Sequence, residues 1–235
     1  MLLYIVRHGD PIYETDSLTN RGFIQAESVA KKMKAAKIDR VFSSPMGRAR
    51  LTAEPTCRLL GLECNIEDWA HEITDEHLFT PFPDGIPKSI NSVQNTYYRE
   101  NGLLELDYND VYSCPGINQA DIRESVKAIE DGGYEFLERL GYKYENGNFK
   151  ILRENNEKIA LFCHAAMTRA WMSILFHIPL HIVAASSSPS HTSITVLEFQ
   201  NNKNGVTAPK CLCFGDMSHL YADGLDTKHN GATEL

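Results

Sequence analysis

Along the first 70 residues the apolar positions follow two rhythms that alternate. Residues 2–6 (L-L-Y-I-V) form a short apolar run with the length and composition of a buried strand. A polar stretch follows through Ser17, and then Phe23, Ala26, Val29, Ala30 and Met33 return at helical spacing. Thr19 stands where an N-cap is needed, so the pattern predicts a helix over residues 20–36. Residues 39–43 (D-R-V-F-S) read as a second strand, and residues 48–60 as a second helix stopped by Gly61. Strand, helix, strand, helix predicts an α/β fold: a mostly parallel central sheet with helices on both faces.

From His77 to about Asn156 the pattern changes. Pro81, Pro83, Pro87 and a tyrosine-rich stretch (Y-Y-R-E-N-G-L-L-E-L-D-Y-N-D-V-Y) carry little strand signal. A helix over residues 119–140 follows, with Ile122, Val126, Ile129, Phe136 and Leu140 on one side. The α/β rhythm then resumes: a strand over 158–163 (K-I-A-L-F-C) that ends on His164, a helix to His177, and strands over 193–199 and 210–214. The expectation is therefore one domain over 1–235. Its core is 1–76 and 157–220, and residues 77–156 form an inserted, largely helical cap over the carboxyl edge of the sheet. The last dozen residues read as frayed.

Composition narrows the function classes. At 235 residues and 26.5 kDa, the chain is long enough to bury one sizeable core with an insertion. A net charge of -8 argues against a nucleic-acid or anionic-membrane partner, which would call for a basic face. It does not exclude a small anionic substrate, because a few arginines can cluster inside an acidic protein. No run approaches the ~20 apolar residues of a membrane span. The opening apolar run is too short for a signal-peptide core and lacks a cleavage-type site, so a cytoplasmic location is expected. The six cysteines are scattered and read as reduced thiols. Cys211-Leu212-Cys213 lacks zinc-knuckle spacing and a partner pair, so no metal is expected there.

The chemistry sits at strand ends. Two strands at opposite ends of the chain finish on a histidine, I-V-R-H at His8 and L-F-C-H at His164. In open α/β sheets ligands bind beyond the carboxyl ends of the strands, so parallel central strands would bring both imidazoles to one edge. A third strand leads through Ser44-Pro45 to Arg48 in the first turn of a helix, adding a second guanidinium to Arg7. Two arginines and two histidines make an anion site, and guanidinium forks match phosphate oxygens bidentately. Phosphoryl transfer needs balanced oxygen charge and an in-line nucleophile, which a neutral imidazole near pH 7 provides. The leaving alkoxide then needs an acid.

Arg7-His8-Gly9 resembles the RHG signature of the histidine phosphatase superfamily, which includes the phosphoglycerate mutases. Leu18-Thr19-x-x-Gly22-x-x-Gln25-Ala26, Ser43-Ser44-Pro45-x-x-Arg48-Ala49-x-x-Thr52-Ala53 and the strand ending on His164 resemble its further blocks, in the family's order. The resemblance implies that His8 is the nucleophile and forms a phosphohistidine. It implies that Arg7, Arg48 and His164 bind phosphate, that no metal or other cofactor is required, and that the substrate is a small phosphorylated metabolite. It also implies that a glutamate after the third strand is the proton donor. Ala70-His71-Glu72-Ile73 fits that pattern, so Glu72 is the expected acid, with Asp75 and Glu76 as neighbours.

The chain departs from the family at three points. Ala165-Ala166 stands where a pair of glycines is usual, the G-x-W-E-G after the acid is absent, and the R-x-P of the acid phosphatase and phytase branch does not follow His8. The leading expectation is a phosphomonoester hydrolase. A phosphoglycerate mutase is the alternative, but the loop from Asp10 to Ser17 lacks that branch's W-N and F-T-G-W elements. A phosphate-binding module without turnover is a third, supported by Ala165-Ala166 alone. His191, just ahead of the strand over 193–199, reads equally as a residue reaching the same sheet edge or as a surface-loop residue, and His219 in G-D-M-S-H-L has no derived role. Tyr97, Tyr98, Tyr108 and Tyr112 read as packing residues of the insertion.

Overall fold

Leu3 and Ile5 are essentially inaccessible to solvent, as expected for a strand inside a sheet with both faces covered. In the computed structural model, which describes residues 1–74, 79–81, 87–89, 93, 95–108 and 122–227, that strand (β1, Leu2–Arg7) is central. Its partners in the six-stranded sheet are β2 (Arg40–Ser43), β3 (Cys64–Ile66), β6 (Lys158–Cys163), β7 (Ile194–Glu198) and β8 (Lys210–Asp216). Two further strands, β4 (Tyr142–Glu145) and β5 (Asn148–Ile151), form a hairpin in a separate sheet with Val206–Thr207. Across the main sheet the order is β8-β7-β1-β6-β2-β3. β1, β6, β2 and β3 are parallel neighbours, and β7 runs antiparallel between β1 and β8.

Helix α1 (Asn20–Ala36) starts where the Thr19 hydroxyl accepts the Gly22 N–H at 3.0 Å. Helix α2 (Gly47–Leu60) ends at Gly61, whose φ of 67° needs a residue tolerant of the left-handed region. Strand alternation then decides which face each helix covers. Val6, Val41, Ala160 and Phe162 point to one face and pack with Val29 and Met33 of α1 and Ala53 of α2. Phe42, one residue on, points to the other face and meets Phe136 of α4 (Arg123–Arg139) edge-on at 5.0 Å. The α/β class with helices on both faces is as expected. No helix among the described residues is long and apolar enough to cross a membrane.

The chain divides into two compact units. The first comprises Met1–His71, Tyr134–His164 and Pro189–Leu235, and the second Glu72–Gly133 and Ala165–Ser188. The segment 77–156, expected as a single insertion, is shared between them: through Gly133 it falls in the second unit and from Tyr134 in the first. Phe149 and Tyr142 explain the second assignment, because both are buried against Phe199, at 5.4 and 5.1 Å between rings. Within the second unit lie α3 (Asn95–Glu100), α5 (Ala165–Phe176), α6 (Leu180–Ser186) and a strand pair, Phe79–Pro81 with Pro87–Ser89. Tyr98 is buried there against His181 at 4.9 Å, and Tyr108 meets the ring of His177 at 5.2 Å. Tyr112 lies outside the described residues.

Candidate active site

The register of β1 on β6 decides where the histidines go. Arg7 is paired with Cys163, so the next residue on each strand is His8 and His164. Their ring centroids are 5.2 Å apart, and both side chains are buried. The third parallel strand brings Ser44 to the same edge. Its N–H donates to Phe162 O at 2.8 Å, and its hydroxyl shares a 2.8 Å hydrogen bond with His164 Nε2. Arg48, in the first turn of α2, is buried, with Nη1 donating to Asp16 Oδ1 at 2.5 Å and its guanidinium 5.4 Å from the Tyr13 ring centre. Arg7 Nη1 donates to Pro189 O at 2.7 Å, which fixes one side of that guanidinium. Arg7, His8, Arg48 and His164 thus all belong to the first unit.

The remaining motif residues hold the turn that follows His8. Gly9 N–H donates to Thr52 Oγ1 at 2.9 Å, and the Thr52 hydroxyl donates to Arg48 O at 2.7 Å. Asp10 N–H donates to Gln25 Oε1 at 2.9 Å, and the Thr19 hydroxyl donates to Asp10 Oδ2 at 2.7 Å. Two glycines let the turn sit directly on the start of α1. A Cβ on Gly9 would lie 2.8 Å from Gly22 O, and one on Gly22 would lie 2.2 Å from Asp10 O. The L-T-x-x-G-x-x-Q-A and R-A-x-x-T-A blocks are therefore a clamp on residues 9 and 10.

The electrostatics keep both rings neutral. Burial, helped by the charge of Arg7, lowers the His8 pKa to about 3, against a smaller opposing effect from the Gly9 carbonyl. Burial also holds His164 well below the ordinary histidine range, with His8, Arg48, Arg7 and His71 adding to the effect. His8 Nδ1 lies 2.7 Å from Gly9 O, which only accepts, so the hydrogen is on Nδ1 and the lone pair on Nε2. Asp16, which the sequence reading did not select, accepts from Arg48 and from Gly47 N–H at the start of α2. Its signal was weak: one acidic residue in a polar loop.

Glu72 belongs to the second unit, where its carboxylate sits on the first turn of α5. It accepts from Met167 N–H at 2.8 Å, Ala166 N–H at 3.3 Å and Ile73 N–H at 3.1 Å. One amide of the Ala165-Ala166 pair is thereby engaged by the expected acid. Asp75 and Glu76 lie outside the described residues. His191 does come to the sheet edge: its ring centre is 5.7 Å from that of His8, and its Nδ1 is 3.4 Å from Asp10 Oδ1. His219 stands one step away, with Nε2 3.1 Å from Thr192 Oγ1. Among the described residues, no three or more His, Cys, Asp or Glu side chains are grouped to hold a metal ion.

Residues 3–75 match the family model described as histidine phosphatase superfamily (branch 1). No curated protein matches the chain. Among solved structures, the phosphoserine phosphatase of Entamoeba histolytica, in complex with 3-phosphoglyceric acid, is similar with a TM-score of 0.61. It is 21% identical, and the match covers 93% of this chain and 98% of that one. A mycobacterial glucosyl-3-phosphoglycerate phosphatase is 15% identical over 91% and 98% of the two chains, with a TM-score of 0.58. YhfR of Bacillus stearothermophilus is 17% identical over 93% and 98%, with a TM-score of 0.60. At these identities the likeness is one of fold. Residues 3–75 are thus similar to the histidine phosphatase superfamily (branch 1), and the chain as a whole shares the fold of these solved phosphatases.

Proposed function

We propose that the protein hydrolyses a small phosphomonoester through a phosphohistidine on His8, without a metal. The observation that carries this reading is the state of His8: a neutral buried ring whose Nδ1–H is tied to Gly9 O, leaving the Nε2 lone pair for attack. The charges of Arg7 and, less strongly, Arg48 lower the His8 pKa, which supports a role for both in balancing the charge of a phosphoryl group. In the first step Nε2 forms a bond to phosphorus and the ester P–O bond breaks. Its electron pair stays on the leaving oxygen, and Glu72 supplies the proton. In the second step the Glu72 carboxylate takes a proton from water, the oxygen attacks phosphorus, and the P–N electron pair returns to His8. Phosphatases among the similar folds support hydrolysis over transfer, as does the short loop from Asp10 to Ser17.

The test is turnover of a phosphomonoester panel with trapping of the phosphoenzyme. His8→Ala is expected to abolish both hydrolysis and an acid-labile, base-stable phosphoenzyme while the protein stays folded. Glu72→Gln is expected to slow alkyl phosphates by ~10²–10⁴-fold and an activated aryl phosphate much less. Phosphoenzyme that discharges only to 3-phosphoglycerate would indicate a mutase. No phosphoenzyme from any donor would indicate a binding module.

A further inference from the structure

The loop from Pro189 to Ser193 is strapped to the end of β1 at three points. Arg7 Nη1 donates to Pro189 O at 2.7 Å, Thr192 N–H to His8 O at 3.2 Å, and Arg7 N–H to Ser193 O at 3.1 Å. Thr192 has a φ of 57°, a left-handed conformation that a β-branched residue adopts only against steric resistance. This loop sets the His191 ring 5.7 Å from the His8 ring and within 3.4 Å of Asp10 Oδ1, with only 12% of the His191 side chain exposed. Asp10 is itself anchored, because the Thr19 hydroxyl donates to its other oxygen at 2.7 Å and Gln25 accepts its N–H at 2.9 Å. A rigid carboxylate, a rigid loop and a third imidazole thus converge beside the nucleophile.

We propose that His191, held by Asp10, is a ligand of the substrate phosphoryl group, donating an Nε2–H hydrogen bond to a non-bridging oxygen when the ring is protonated. This rests on the phosphatase reading above. Nδ1 lies 3.4 Å from Asp10 Oδ1, a contact that suits an N–H and not a lone pair, so a neutral ring carries its lone pair at Nε2 and repels an oxyanion. Only the imidazolium has a hydrogen on both nitrogens, so anion binding and protonation of His191 are linked. The surroundings set the balance of that proton. The charged groups around it are Asp10, 3.4 Å from Nδ1, and Arg7, hydrogen-bonded to the same loop. His8 is neutral, and His219, behind Thr192, is also kept neutral by burial, with its pKa lowered to about 4. A bound dianion adds the negative charge that completes protonation. No covalent bond and no net proton transfer to substrate is required.

The alternative is that Asp10 and His191 only staple the loop. The two are separated by following the histidine rings by NMR with and without sulfate, an anion whose charge is constant over the range, with His191→Asn assigning the signal. The expected result is that sulfate raises the midpoint of His191, and that Asp10→Asn lowers it. Sulfate binding is expected to tighten as pH falls from 8 to 6, and His191→Gln to weaken it by roughly tenfold at pH 6 with little effect at pH 8. The acid limb of kcat/KM for phenyl phosphate should shift in parallel. A His191 midpoint indifferent to sulfate overturns the proposal, as does a His191→Gln protein that keeps the pH dependence. Should the variants fail to fold, the wild-type ring titration, its signal assigned through the backbone resonances of His191, decides alone. Wild-type protein that hydrolyses through phosphorylated His8 while His191 stays unresponsive removes this proposal and leaves the phosphatase reading. Wild-type protein without hydrolysis removes that reading, and the sulfate titration still decides the ligand.

Discussion

Gly22→Ala reverses the usual sign of a helix substitution. Gly22 lies in the first turn of α1, where alanine ordinarily gains up to about 1 kcal/mol over glycine. Here the new Cβ would fall 2.2 Å from Asp10 O and 3.0 Å from Asp10 N, and both neighbours are backbone. The turn must retreat by about 1 Å to restore ordinary contact, and overpacking of this kind costs about 1–3 kcal/mol. Retreat also loosens the bonds that Thr19 and Gln25 make to Asp10, each worth about 1 kcal/mol. The net expectation is a loss of about 1–3 kcal/mol, which for a chain of this length lowers Tm by roughly 3–10 °C. Asp10 follows His8 by two residues, so kcat/KM should fall at least tenfold with it. Thermal unfolding beside phosphomonoester turnover reads both quantities. A Gly22→Ala protein with unchanged or raised Tm and full activity would refute the clamp.

Two further expectations follow from charge. Asp16→Asn keeps an acceptor for Gly47 N–H and a residue suited to a φ of 47°, but removes the charge beside Arg48. Inorganic phosphate should then inhibit roughly three- to tenfold more strongly, the effect being moderated because Asp16 is partly exposed; equal or weaker inhibition would show that Asp16 does not offset that guanidinium. His8, His164 and His219 are all held below the ordinary histidine value of 6.5 in the folded protein. Between those lowered values and 6.5 the unfolded chain binds more protons, so stability is full above about pH 7 and is lost as pH falls. Each such histidine costs about 1.4 kcal/mol per pH unit within that window. Urea midpoints measured from pH 7.5 to 4.5 in an anion-free buffer should fall steadily, and a flat profile would contradict the buried neutral rings.

Much of the first unit was legible in the chain, because its signals are local. Thr19 caps its helix as its side chain requires, Gly61 ends the next, and the apolar rhythm marks the strands around them. Two local signals inside the segment expected to be a helical cap point to strands instead. Y-K-Y-E and N-F-K-I flank Asn146-Gly147, which take φ values of 51° and 81°, the turn chemistry of a hairpin. The motif letters marked the candidate residues of the site. They could not say that Thr19, Gln25 and Thr52 act on the turn after His8 and not on a ligand.

That distinction belongs to contacts between residues far apart in the chain. His8 and His164 meet because β1 pairs with β6 in one register, and a shift by one residue would send one ring to the opposite face. Asp16 reaches Arg48 across 32 positions, and Asp10 reaches His191 from the far end of the chain. Periodicity and capping report on a residue's own turn or strand, so the sequence alone determined the elements and the types of side chain at their ends. Which side chains face one another depends on strand order, register and burial, and burial also sets the protonation of His8. Only the tertiary structure decides those.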